Sequence, residues 1–258
     1  LMLIDTHTHL YLDEFNSDLE PMLQRAAEAG VSRFYLPNID SQSIKALLAL
    51  TEAYPEHCFP MMGVHPCSIK AETWKDELAR AERYLDMGNF IAVGEIGLDL
   101  YWDKTTFEIQ KQALQIQCGW ALDSGKPVSL HSREATQECI DIIRPFAKKG
   151  LRGVFHCFSG TTEEAKEVVD MGFLLGIGGV VTFKKSNLPS VLLSVSPEAI
   201  VLETDAPYLA PVPYRGKRNE PAYLREIVKC ISEIYQIPVP ELEQITSNNA
   251  MNLFQHER

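Results

Sequence analysis

Six side chains of the kind that hold divalent metal ions punctuate this sequence, each closing a short apolar run: His7 and His9 of His7-Thr8-His9, Glu95, His131, His156 and Asp205. Four imidazoles and two carboxylates are the donor set of a two-metal hydrolytic centre, whereas a folded core needs no side chains with lone pairs. His7 and His9 are two residues apart, so on an extended backbone they project the same way and can share an ion. Glu95 follows Ala92-Val93-Gly94. A carboxylate at that depth needs a metal or a counter-cation; Arg133 is the alternative partner, and a bridge between two ions is the preferred role. His131 ends Pro127-Val128-Ser129-Leu130 and His156 ends Val154-Phe155, which makes a second histidine pair. In Leu202-Glu203-Thr204-Asp205, alternation sends Glu203 and Asp205 to one face; Asp205 is the expected ligand, and Glu203 is expected to orient a histidine or a basic side chain.

These residues must be delivered by a scaffold, and apolar runs alternate with helical periodicity eight times. Strands are predicted at Leu3–His7, Arg33–Ile39, Phe59–Val64, Phe90–Gly94, Pro127–Leu130, Gly153–His156, Phe173–Ile177 and Ile200–Thr204. Helices are predicted at Ser17–Ala29, Ser41–Tyr54, Thr73–Met87, Thr105–Ser124, Ala135–Lys148 and Thr162–Asp170, with a short, Pro-bounded seventh and two more at Pro221–Tyr235 and Val239–Phe254. Such alternation implies an α/β fold, a single (β/α)8 TIM barrel with an extra C-terminal helix, spanning residues 2–258 as one domain. Its active site belongs at the carboxyl ends of the strands, where all six metal candidates fall. Gly30, Gly88, Gly125, Gly150 and Gly172 follow helices where a left-handed residue is expected, and Thr161-Thr162-Glu163-Glu164 reads as a helix start. His65, closing Gly63-Val64-His65-Pro66, faces the same mouth but at the wrong barrel position for either pair, so phosphate or leaving-group contact is expected of it. His57 and His256 are read as solvated.

At 258 residues, 45% hydrophobic and 23% charged, the chain is ordinary globular material. It contains no apolar run of about eighteen residues, the length a membrane helix needs. Six scattered cysteines without a CxxC pair read as reduced thiols, which points to a cytoplasmic location. Cys157 is expected to point away from the site if His156 points into it. The net charge of −11 argues against a broad duplex-binding surface. It leaves room for an anionic substrate gripped through bound cations. Two divalent ions, Glu95, Asp205 and one hydroxide leave about one positive charge, whereas the same residues without metal would repel phosphate. No membrane and no obligate protein partner are implied.

With these residues placed, the chain resembles the TatD family of metal-dependent deoxyribonucleases, within the amidohydrolase-like barrel superfamily. The resemblance runs from Ile4 to Phe254 through Ile4-Asp5-Thr6-His7-Thr8-His9, Gly63-Val64-His65-Pro66, Val93-Gly94-Glu95-Ile96-Gly97-Leu98-Asp99, Leu130-His131-Ser132-Arg133, His156-Cys157-Phe158, Leu202-Glu203-Thr204-Asp205-Ala206-Pro207-Tyr208-Leu209 and Arg215-Gly216-Lys217-Arg218-Asn219-Glu220-Pro221. It implies one or two metal ions and phosphodiester hydrolysis, often as a 3′ to 5′ exonuclease on single-stranded or damaged DNA. It also permits ester hydrolysis of D-aminoacyl-tRNA. Relatives that cleave cyclic amides usually bridge their metals with a carboxylated lysine, and Glu95 argues against that branch.

The expected mechanism is two-metal hydrolysis. His7, His9 and Asp205 hold one ion, His131 and His156 hold the other, and Glu95 bridges ions roughly 3.5 to 4 Å apart. A shared hydroxide is the nucleophile, and Asp205 accepts the proton. His65 and Arg133 are candidates to hold the phosphate, beside the basic loop Arg215, Lys217 and Arg218; Asp99 is expected to support a ligand. Tyr101, Trp102 and Tyr208 could equally stack on unpaired bases or cap the barrel. Imidazole-rich sites favour zinc, manganese and other first-row ions, while the resemblance implies magnesium, so Mg2+, Mn2+ and Zn2+ all stand as cofactors.

Overall fold

A computed structural model of the chain describes residues 2–254, so His256 lies outside the described residues. Buried, Val-, Ile- and Leu-rich strands alternate with helices in the order β1 (Leu3–Asp5), α1 (Leu19–Glu28), β2 (Val31–Pro37), α2 (Ile44–Ala53), β3 (Cys58–Met62), α3 (Trp74–Met87), β4 (Ala92–Asp99), α4 (Phe107–Ser124), β5 (Val128–Arg133), α5 (Thr136–Lys148), β6 (Gly153–Phe155), α6 (Thr162–Asp170), β7 (Leu174–Ile177), α7 (Leu188–Leu192), β8 (Ile200–Leu202), α8 (Leu224–Tyr235) and α9 (Val239–Phe254). All eight strands pair in parallel and in sequence order. Thr6 N–H donates to Leu202 C=O at 3.0 Å and Asp205 N–H to His7 C=O at 2.9 Å, which carries the end of β8 back to β1. The protein is therefore a (β/α)8 barrel with α9 as its extra C-terminal helix.

Local chemistry explains the punctuation. Thr161 accepts from the Glu164 N–H while the Glu164 carboxylate accepts from the Thr161 N–H, a reciprocal cap that starts α6. Gly30, Gly125, Gly150 and Gly172 take the positive φ that ends a helix. Gly88 departs from the expectation: its φ is −119°, and what it supplies is room, since a Cβ there would lie 2.4 Å from the Phe90 ring. Helix α9 packs Ala250 and Phe254 against Ile4, Tyr35, Met61, Val154 and Val201. That apolar plug occupies the amino end of the barrel, leaving the carboxyl end as the mouth. Among the described residues no helix is long and apolar enough to cross a membrane.

The fourth strand differs most from its prediction. It does not stop at Gly94 but runs through Asp99, and β5 runs through Arg133. The register shifts between Val93 and Ile96, so Glu95 sits in a bulge, after which Ile96–Asp99 pair with Leu130–Arg133. The two strands thus continue past the mouth as a ribbon.

Candidate metal centre

The predicted ligands converge from β1, β4, β5, β6 and β8. Glu95 stands between them and divides its two oxygens. Oε2 lies 3.1 Å from His7 Nε2 and 3.7 Å from His9 Nε2. Asp205 Oδ1 completes that side, 3.9 Å from His7 Nε2 and 3.4 Å from His9 Nε2. Ligands about 2.1 Å from a common ion in tetrahedral array are spaced about 3.4 Å apart; His7, His9 and Glu95 lie within 4.8 Å of one another, while Asp205 groups at that spacing with His7 and His156. On the other side Oε1 lies 2.9 Å from His131 Nδ1 and 3.7 Å from His156 Nε2. One carboxylate facing two donor groups through different oxygens is the geometry of a bridging ligand.

The halves are less separate than the sequence pattern suggests. The His7 and His156 rings stack with centroids 3.4 Å apart, and His156 also groups with His7 and Asp205 as a possible ligand set. His65, expected outside the ligand set, lies with Nε2 3.2 Å from Glu95 Oε1 and forms a further cluster with Glu95 and His131. Arg133, the alternative partner for Glu95, is not among that carboxylate's contacts; histidines surround it instead.

The partners of the outer ring nitrogens set what each histidine offers. The Tyr11 hydroxyl donates to Pro37 C=O at 2.5 Å, so its oxygen accepts from His9 Nδ1–H at 2.9 Å and leaves the Nε2 lone pair facing the site. Asp99 Oδ2 lies 2.7 Å from His131 Nε2, which holds the proton there and frees Nδ1. Glu203 Oε1 lies 3.1 Å from His156 Nδ1, off the line of a straight N–H bond, so this is a charge contact that keeps the proton on Nδ1. His65 has the opposite polarity: its Nδ1 accepts from Cys67 N–H at 3.0 Å, so the neutral ring presents an N–H to the site. That argues for a donor to substrate rather than a metal ligand.

Ser129 and Asp5 hold the remaining pieces. Ser129 Oγ is 3.1 Å from His7 Nδ1, and the missing side chain of Gly94 makes room for Ser129, whose Cβ would otherwise lie 2.8 Å away. Asp5 Oδ1 accepts from Thr204 N–H at 2.9 Å, tying β1 to the segment that carries Asp205; burial pushes Asp5 up to about 8. Tyr11, Ser129 and Asp5 were not singled out from sequence, although Tyr11 is two residues from His9 and so shares its face on an extended chain.

Charge follows from these contacts. Burial pushes Glu95 up, but the imidazoles of His65, His7 and His156 outweigh it and hold the carboxyl well below its usual range. Burial likewise opposes Asp205, and His156, His9 and His7 bring it down. His156 moves the other way: burial lowers it, while Glu203, Asp205 and Glu95 carry it up to about 10. His131 is raised against burial by Asp99 and Glu95. Asp99 and Glu203 also add two negative charges to the site beyond Glu95 and Asp205, which increases the need for cations that meet an anionic substrate.

The outer candidates separate into two groups. Arg133 is exposed, with its guanidinium carbon 3.7 Å from the Tyr101 ring centroid. Tyr208 stands beside His9, ring centroids 6.1 Å apart. Arg215 and Lys217 are exposed, and Arg215 lies 4.1 Å over Phe183, next to Lys184 and Lys185, which sequence reasoning had passed over. Arg218 is committed elsewhere. It contacts Asp18 at 2.6 Å and Glu220 at 3.5 Å, and it lies over Phe15. Cys157 also differs from expectation. β6 ends at Phe155, so strict alternation no longer applies; Cys157 has a φ of 46° and donates its N–H to Glu203. Burial, then Asp205 and Glu203, pushes its thiol well up, which disfavours a thiolate nucleophile.

The chain is similar to known proteins over nearly its whole length. A family described as "TatD related DNase" matches residues 4–255. A Bacillus subtilis (strain 168) protein named "Uncharacterized metal-dependent hydrolase YabD" is 34% identical over 254 residues, covering 98% of this chain and 99% of that one. The "3'-5' ssDNA/RNA exonuclease TatD" of Edwardsiella piscicida is 33% identical over 259 residues, with the same coverage of 98% and 99%. The crystal structure of YJJV, a TatD homologue from Escherichia coli K12, superposes with a TM-score of 0.90 at 31% identity, covering 99% of this chain and 98% of that one.

Proposed function

The chain belongs to the TatD-related DNase family of metal-dependent hydrolases, and from that premise we propose that it is a phosphodiesterase that removes nucleotides from the 3′ end of single-stranded or damaged DNA. The observation that carries this reading is the division of the Glu95 oxygens between His7 and His9 on one side and His131 and His156 on the other. The name of the E. piscicida relative supports the substrate class.

His7, His9, Asp205 and Glu95 would hold one divalent ion, and His131, His156 and Glu95 a second. Such ions supply Lewis acidity and a water of lowered pKa. Around them the side chains divide the remaining work. Asp205 turns Oδ1 toward His7 and His9, and its other oxygen takes the proton of the attacking water. His65 offers its Nε2 proton to the phosphate or to the departing ribose oxygen. Arg133, Arg215 and Lys217 attract the polyanion; Tyr208, beside His9, contacts the terminal nucleotide. Arg218 braces the loop instead.

A 3′-labelled single-stranded oligonucleotide and a D-aminoacyl-tRNA, incubated side by side with metal-loaded protein, test the proposal. Release of mononucleotides from the labelled end is expected. Release of amino acid without mononucleotides would replace it with an ester-hydrolase reading.

A further inference from the structure

We infer that Trp102, Tyr101 and Arg133 form a platform that grips the nucleotide next to the scissile linkage, Trp102 stacking on its unpaired base and Arg133 holding its phosphate. This deepens the nuclease reading and rests on it. The platform stands on the ribbon that β4 and β5 extend past the mouth, where Asp99 pairs with Arg133 in register and Leu100 N–H donates to Arg133 C=O at 3.0 Å. Its loop is anchored to the ligand set by one buried side chain. Asp99 Oδ1 accepts from Tyr101 N–H and from Trp102 N–H, each at 3.0 Å, while Oδ2 holds His131 at 2.7 Å.

The anchored loop nevertheless turns its aromatic rings outward. Tyr101 is 48% and Trp102 69% exposed, so neither is used to cap the barrel. Their rings meet edge to face, 4.8 Å apart at 90°. Arg133 sits over the pair, its guanidinium carbon 3.7 Å from the Tyr101 centroid and 5.6 Å from that of Trp102. Among the described residues no carboxylate pairs with its guanidinium. Contact with the ring face holds the group without consuming its N–H donors, which suits a phosphate. The open face of Trp102 suits a base, since every base has a π-face and an unpaired one can reach it. Four carboxylates around the histidines make such a free cation beside His131 valuable to an incoming polyanion.

Two readouts test the platform in the full-length, metal-loaded protein. The first is tryptophan fluorescence during titration with a phosphorothioate-linked hexathymidylate, chosen to resist cleavage. Saturable quenching is expected in the wild type and is expected to vanish in Trp102→Ala, because Trp74 and Trp120 are less exposed than Trp102. The second is the ratio of kcat/KM for an all-thymidine trinucleotide to that for the same strand with one abasic position, scanned along the strand. One position should show a wild-type ratio of roughly 5 to 150, the range for loss of one stacked base, and a ratio near one in Trp102→Ala. In Arg133→Ala the slope of log affinity against log salt should flatten by roughly 0.7, one phosphate contact on a single strand. Quenching that survives Trp102→Ala, or an abasic ratio equal in both proteins, would overturn the inference. Quenching without hydrolysis would retain the platform and remove the nuclease reading; hydrolysis without Trp102-dependent quenching would do the reverse.

Discussion

Replacing Glu203 by Gln should weaken one half of the metal centre and spare the other. Glu203 is fully buried; its Oε1 faces His156 Nδ1 at 3.1 Å and accepts from Cys157 N–H, while Oε2 has no hydrogen-bond partner. The amide oxygen of Gln must therefore take the Oε1 position, which puts its NH2 where Oε2 stood, against Gly176, whose absent Cβ would lie 2.3 Å from that atom. An unpaired buried NH2 costs about 1 to 3 kcal/mol of stability. Loss of the charge behind His156 removes support of a kind worth roughly 10- to 100-fold in metal affinity. Calorimetric titration of metal-free wild type and Glu203→Gln reads both sites. The variant should lose affinity by that factor at the site of His131 and His156 alone, with the site of His7 and His9 unchanged. Equal losses at both sites, or none at either, would refute the assignment of His156 to a separate half.

Tyr11→Phe should act on the opposite half, since the phenol oxygen accepts from His9 Nδ1; a roughly 10-fold loss at the site of His7 and His9 is expected in the same titration. Metal uptake at pH 7 should release protons, because His156 is pushed up to about 10 from 6.5 in the metal-free protein; titrations in buffers of different ionisation enthalpy measure the number. The sign for stability follows from linkage: the His156 contribution is complete below about pH 6.5 and is lost as pH rises through about 10, while those of Glu95 and Asp205 are present above the usual carboxylate range and lost as pH falls. Thermal melts of metal-free protein should therefore decline from pH 7 to 10, and metal should remove most of that decline. Arg218→Ala should cost roughly 1 kcal/mol, about 2 to 4 °C in Tm, because its pairs with Asp18 and Glu220 are partly exposed; Lys217→Ala should leave Tm in place and raise KM for oligonucleotide at low salt, with the difference from wild type shrinking as salt rises.

The residues that were legible from sequence are those whose role is written in local spacing. His7 and His9 two apart, and histidines or carboxylates closing apolar runs, anticipate where the mouth lies because strand direction and strand end together fix it. The start of helix α9 at Val239 is legible too, because its apolar positions repeat and Pro238 precedes it. What escaped depends on departures from periodicity. The bulge at Glu95 resets the β4 and β5 register, and nothing in Val93-Gly94-Glu95-Ile96 shows that β4 continues to Asp99 and β5 to Arg133, with Tyr101 just beyond the end of β4. The positive φ at Cys157 breaks the alternation on which its expected direction relied. Arg218 could not be told from Arg215 or Lys217 by composition, since its partners Asp18 and Glu14 lie some two hundred positions away.

The bridge at Glu95 is the central claim, and paramagnetic resonance during stepwise addition of Mn2+ to metal-free protein tests it most directly. Two ions sharing one carboxylate at roughly 3.5 to 4 Å couple magnetically, so the second equivalent should convert an isolated-ion spectrum into a coupled one, and Glu95→Ala should abolish the conversion. A second equivalent that adds only another isolated-ion signal in the wild type would contradict the account.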